Sequence, residues 1–109
     1  MNPANTIPAE RVGGLYIAPH ELEIVQRILR SCIPGRKVWA FGSRATGVRL
    51  KRFSDLDLAI EGKLTIAESA RLAEEFDESP LPFKVDLVEL DEVDSAFLGR
   101  IKADFIVLA

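Results

Sequence analysis

Two aspartates one residue apart, Asp55 and Asp57, open an apolar run that ends at Ile60, and a third, Asp86, interrupts another, Phe83 to Leu90. Aspartate is a poor strand residue, and burying a carboxylate without a partner is costly. Three of them punctuating apolar runs ask for a cation. Hard divalent ions such as Mg2+ take oxygen ligands and keep several waters, so two or three carboxylates plus a substrate phosphate complete a site. Two ions bridged by Asp55 and Asp57 would clamp a nucleoside triphosphate, one activating the attacking oxygen and the other neutralising the departing pyrophosphate. Asp86 would complete the first ion's shell and assist in removing the acceptor proton. Without metal the three carboxylates repel one another, and at least one should titrate high.

Upstream, Gly42-Ser43 closes the apolar run Lys37-Val38-Trp39-Ala40-Phe41. Glycine lets the chain turn sharply and lets a phosphate approach the backbone. The Ser43 hydroxyl and the amides of the next turn would then point at the same anion. Arg44, Arg49, Lys51 and Arg52 follow with no acid among them, a local reversal of the chain's net charge of -3 that suits a triphosphate. Arg44, nearest the turn, joins Gly42 and Ser43 as a candidate phosphate-binding residue. Each element alone is weak: Asp-x-Asp pairs cap turns, and basic stretches are usually solvated loops. Their order and strand context join them. Trp39 reads as core, His20 as structural, Glu89 and Asp91 as exposed, and Tyr16 as packing only.

The elements that must position these residues follow from periodicity. Residues 1–18, interrupted by Pro3, Pro8 and Gly13-Gly14, read as an N-terminal arm whose Leu15-Tyr16-Ile17 can pack on the domain or pair with an edge. Residues 19–109 form the domain. Leu22, Val25, Leu29 and Cys32 recur at helical spacing, with Ile24 and Ile28 widening the stripe, until Pro34-Gly35 stops the helix. Strands are expected over 37–41, 55–60 and 83–90, and a single helical turn over 43–47. Thr65-Ile66-Ala67-Glu68 is a capping box, opening a helix expected to bury Ile66, Ala70, Ala73 and Phe76. Asp94 caps a last helix through Lys102, and 105–108 adds an edge strand. Alternating helices and strands predict an α/β sandwich. If strands 55–60 and 83–90 are neighbours with Leu56, Leu58, Val85 and Leu87 under the helices, parity puts all three acids on the same side.

Bulk properties set the frame. At 109 residues, 48% hydrophobic and 28% charged, the chain is one ordinary globular domain. Its negative charge argues against wrapping a nucleic-acid backbone. The single Cys32 excludes an internal disulfide and a cysteine-rich zinc site. No apolar stretch approaches the roughly 20 residues of a membrane span, and the N-terminus lacks a secretory pattern, so a cytoplasmic location is expected.

Phe41-Gly42-Ser43-Arg44-Ala45-Thr46-Gly47, then Ser54-Asp55-Leu56-Asp57-Leu58-Ala59-Ile60, then Val85-Asp86-Leu87-Val88 closely resembles the minimal nucleotidyltransferases, the small stand-alone branch of the polymerase-beta-like superfamily. The resemblance spans roughly residues 19 to 108. It implies a nucleotidyltransferase fold, a mixed sheet flanked by helices, and Mg2+-dependent transfer of a nucleoside monophosphate, usually from ATP, to a hydroxyl. It assigns Gly42 and Ser43 to the phosphate-binding turn, Asp55 and Asp57 to the paired metal ligands, and Asp86 to the third carboxylate. Many members of this branch are antitoxins whose partner is a small all-helical HEPN-domain protein, commonly an RNase, and some transfer AMP to a tyrosine of that toxin. The resemblance therefore implies an adenylyltransferase acting on such a partner. The alternatives are a binding module that neutralises its partner by covering it, and transfer to a small molecule or RNA.

Overall fold

In the computed structural model, which describes residues 11–109, the chain runs β1 (Arg11–Val12), β2 (Leu15–Tyr16), α1 (Pro19–Cys32), β3 (Val38–Phe41), α2 (Ser43–Thr46), β4 (Leu56–Ile60), α3 (Ile66–Asp77), β5 (Val85–Glu89), α4 (Ser95–Lys102) and β6 (Ile106–Val107). The main sheet has the order β5-β4-β3-β6. Strand β3 is antiparallel to β4 and β6, whereas β4 and β5 are parallel, a pairing that needs the long crossover supplied by α3. The result is the expected mixed sheet flanked by helices.

Helix α1 begins with Pro19 at its first position, where the missing N–H costs nothing. Glu21 reaches back to accept from the Ala18 amide at 3.0 Å, and the chain leaves the helix through Gly35 at φ +79°. Its stripe of Leu22, Val25, Ile28, Leu29 and Cys32 is buried against Val38, Ala40, Leu56, Leu58 and Ile60 of the sheet. Burial pushes the Cys32 thiol up, an inert packing role. The opposite face of the sheet holds a second cluster of Phe41, Ala59 and Ile101, with Val88, Leu90, Phe97, Leu98 and Phe105 around it. Trp39 belongs to that side and stacks on Phe105, ring centroids 5.4 Å apart. Helix α4 is capped by Asp94, whose carboxylate accepts from the Phe97 amide at 2.8 Å.

Helix α3 has its expected capping box, with Glu68 N–H to Thr65 Oγ1 at 3.0 Å and Thr65 N–H to Glu68 Oε1 at 2.8 Å. Its buried face differs from the expected one. Leu72 is fully buried, Phe76 is half-buried, and Ile66 is 91% exposed, as are Ala70 and Ala73 to a lesser degree. Leucine offers more apolar area than either alanine alone. Glu68 also forms two hydrogen bonds to Arg36, at 3.0 Å each, which pins that side of the helix to the body.

The reading of residues 1–18 as an arm divides in two. Residues 1–10 lie outside the described residues. From Arg11 the chain forms a hairpin, and Leu15 and Ile17 are buried in the main core. Among the described residues, no helix is long and apolar enough to cross a membrane.

Candidate active site

Strand pairing sets the site. Phe41 of β3 pairs with Asp57 of β4, which pairs in turn with Asp86 of β5. Paired residues point to the same face, so the two carboxylates lie side by side in one row across the sheet. The next row on that face is Trp39, Ala59 and Val88, so the acids stand one pleat from the apolar cluster under α4. On the reverse side, Leu56 and Leu58 are fully buried beneath α1 and α3. Of the three acids expected on one side, Asp57 and Asp86 are register partners on this face, whereas Asp55 lies just before β4.

Gly42 connects this row to the turn. Its φ of +79° and ψ of -158° belong to a region that side chains avoid, and a Cβ built there would collide with the Asp57 carboxylate. The backbone of the turn and the carboxylate are thus in direct contact. Next, α2 makes one turn and stops at Gly47, φ +79°, whose amide donates to Ser43 O at 2.7 Å. The amides of Ser43 and Arg44, in the first turn, have no carbonyl one turn back to bond. They are the donors an anion would use.

Burial first, then the charges of Asp86 and Asp55, push Asp57 up from 3.8 to about 6. Asp55 lies just before β4 and is exposed. Asp86 is turned toward Lys84, with Nζ to Oδ1 at 3.4 Å, a solvated pair at the sheet border. Among the described residues, no three acidic, thiol or imidazole side chains converge as a ready-made metal cage. The carboxylates feel each other's charge without closing on a point. This donor set fits Mg2+, which is held by a few carboxylates together with substrate phosphates rather than by an all-protein cage.

Arg44 is where the structure departs most from the sequence reading. Its side chain is 1% exposed and points into the protein, away from the turn's phosphate-facing side. Nε donates to Ser54 O at 2.8 Å, Nη1 to Tyr16 O at 2.9 Å and Nη2 to Arg52 O at 3.2 Å, and the guanidinium lies 4.1 Å over the Phe83 ring. Burial pulls its pKa down, while Glu21 and Asp55 oppose that shift. Its side chain is therefore not placed to meet an anion at the turn. Successive helical residues are about 100° apart, so Ser43 and Arg44 cannot both aim their side chains at one ligand. That was the signal available in the sequence.

Beside Asp55, an open concavity of about 470 Å3 is lined by Lys51, Arg52, Phe53, Ser54 and Asp55. Phe53 is 53% exposed there, and the neighbouring loop exposes Val48 at 65%. Sequence reading took this stretch as basic only and missed its apolar content. At the far end of β5, the Glu89 carboxylate accepts from the Leu64 amide at 2.9 Å, a structural task remote from the acids.

Comparison with known proteins agrees with this geometry. The family described as nucleotidyltransferase domain matches residues 22–107. The chain belongs to the nucleotidyltransferase family. The chain is 43% identical over 96 residues to the probable protein adenylyltransferase MntA of Haemophilus influenzae, covering 86% of this chain and 83% of that protein. Among solved structures, it resembles a chain in a crystal structure of a toxin-antitoxin with AMP-PNP. The TM-score is 0.65 with 26% identity, over 81% of this chain and 72% of that one. The nucleotidyltransferase match begins after the β1–β2 hairpin, which is therefore outside the matched span.

Proposed function

We propose that this nucleotidyltransferase moves AMP from ATP to a tyrosine hydroxyl of a partner protein, an all-helical HEPN-type RNase toxin, and silences it as an antitoxin. The observation that carries this reading is the contact of the Gly42 backbone with the Asp57 carboxylate, while Asp57 is the register partner of Asp86. A phosphate-binding turn and a pair of acids are then one site. The Haemophilus relative's name supports a protein acceptor, and AMP-PNP in the toxin-antitoxin structure supports an adenine nucleotide.

Asp55, Asp57 and Asp86 would hold Mg2+, two ions in the full complex. Bound there, the metal supplies charge neutralisation for the triphosphate and the leaving pyrophosphate. The Ser43 and Arg44 amides and the Ser43 hydroxyl orient the phosphates. The acceptor oxygen bonds to the α-phosphorus as the bond from that phosphorus to pyrophosphate breaks. The hydroxyl proton passes to Asp86, the carboxylate at the open border of the sheet. The acceptor approaches over the Lys51–Asp55 rim, where the exposed Phe53 ring offers an apolar contact.

The test uses the chain, its helical partner and Mg-ATP, with the partner's intact mass recorded. Gain of AMP on the partner, absent with Asp57→Asn, is the expected result. An unmodified partner that both proteins still inhibit would instead identify a mask.

A further inference from the structure

We propose that Arg44 is a positioning residue for Asp55, and that through it the β1–β2 hairpin forms part of the catalytic scaffold. The inference rests on the reading of Asp55 as a metal ligand. Asp55 lies outside the β4 ladder and its side chain is exposed, so strand pairing alone does not fix it. The two peptide planes on either side of it are nevertheless both held. The Ser54 carbonyl, which belongs to the peptide leading into Asp55, accepts from Arg44 Nε at 2.8 Å. The Leu56 amide, which belongs to the peptide leaving Asp55, donates to Lys84 O at 2.9 Å. Lys84 follows Phe83, whose ring carries the Arg44 guanidinium at 4.1 Å. Because peptide groups are planar, restraining these two planes restrains the Asp55 α-carbon and the direction of its Cα–Cβ bond.

The remaining bonds reach backward. Arg44 Nη1 donates to Tyr16 O at 2.9 Å, and Arg11 Nη2 donates to Ala45 O at 3.2 Å. The Tyr16 ring packs where a Cβ on Gly47 would stand, with its nearest atom 3.0 Å away. The hairpin is therefore fastened to both ends of α2. Among the described residues, no buried side-chain nitrogen or oxygen lacks a partner, and each of the three Arg44 guanidinium nitrogens donates to a carbonyl in this latch. A planar fork donating to three separate carbonyls is a task for arginine. Lysine keeps the charge but offers one flexible point of donation.

The test measures Mn2+ affinity without nucleotide or acceptor, by electron paramagnetic resonance, in the full chain and in Arg44→Lys and Arg44→Met. Both variants should bind Mn2+ about tenfold more weakly, the usual cost of removing a group that orients a ligand. Amide resonances of residues 54–57 should shift in metal-free Arg44→Lys, while those of α3 stay in place. Electrostatics predicts the opposite for Arg44→Met, since deleting a cation near Asp55 should tighten metal binding. Unchanged or tighter binding in both variants, or unmoved resonances, overturns the proposal. Should both Arg44 variants fail to fold, Arg11→Ala cuts the exposed hairpin tether instead. Weaker Mn2+ binding supports the hairpin's role, and parent-like binding removes it. A parent that shows the metal and resonance effects yet transfers no AMP would refute the proposed function and leave this positioning role standing.

Discussion

The Gly42 backbone lies against the Asp57 carboxylate so closely that no side chain fits between them. The turn proposed to bind phosphate and the strand proposed to bind metal are thereby indexed to each other by contact. Gly42→Ala should cost about 1–3 kcal/mol from its backbone conformation alone. It should also displace Asp57. Urea unfolding measures the first effect. Transfer activity should fall further than the folded fraction accounts for, because the carboxylate moves in molecules that still fold.

Asp57 makes stability depend on pH in a definite direction. Its folded value, about 6, lies above its ordinary 3.8, so the folded state holds the proton more tightly. Its favourable contribution is complete below pH 3.8 and is lost as pH rises through 6. Above pH 6 the ionised group is a burden. In chelator at neutral pH, Asp57→Asn should be more stable than the parent by about 1–2 kcal/mol after allowance for solvent screening. The advantage should vanish near pH 4. Denaturant melts across that range decide it, and a less stable Asp57→Asn at neutral pH would contradict the repulsion.

Mg2+ should reverse that order. An ion bound only by the folded state stabilises it in proportion to ln(1 + c/Kd), where c is the free Mg2+ concentration. Titrating Mg2+ should raise the melting temperature of the parent and leave Asp57→Asn nearly unmoved. Lys84→Ala, which frees Asp86 from a solvated ion pair, should change metal-free stability by no more than about 0.5 kcal/mol. It should lower the Mg2+ concentration needed for half of the effect.

Phe53→Ser tests the approach route. The ring is half exposed beside Asp55 and has no part in the two core clusters. Its loss should raise KM for the partner protein while Mg-ATP affinity and thermal stability stay close to the parent's. A rise in KM for ATP instead would assign the ring to the nucleotide.

Thr65→Ala supplies the contrasting case. The capping box opens α3 on the reverse side of the sheet from the acids. Its removal should cost about 1 kcal/mol of stability and leave transfer activity per folded molecule unchanged. Reduced activity in a fully folded sample would mean that α3 contributes to the site.

Much of this was legible because strands obey a two-residue parity. Leu56 and Leu58 had to go inward, so Asp57 had to go outward, and the parallel partner β5 brought Asp86 alongside. The caps at Thr65 and Asp94 were equally local signals. For Arg44 the helical spacing from Ser43 was the one sequence hint; where the side chain goes instead was not legible, because its three acceptors are backbone carbonyls from residues 16, 52 and 54, and a carbonyl leaves no mark in a sequence. The facing of α3 was missed for a related reason. Its rotation is fixed by Leu72 and by Arg36, and the latter lies before the strand that precedes α2.

Strand β5 is the last in the sheet, and among the described residues nothing pairs with its outer side. One of the acids therefore stands on a coastline, with water beyond it. Under the proposed function, a visiting protein would furnish the missing bank, excluding solvent from the phosphates as it docks. Selectivity for the acceptor would then reside largely in the visitor's contour, and nucleotide bound in the visitor's absence would stay open to water.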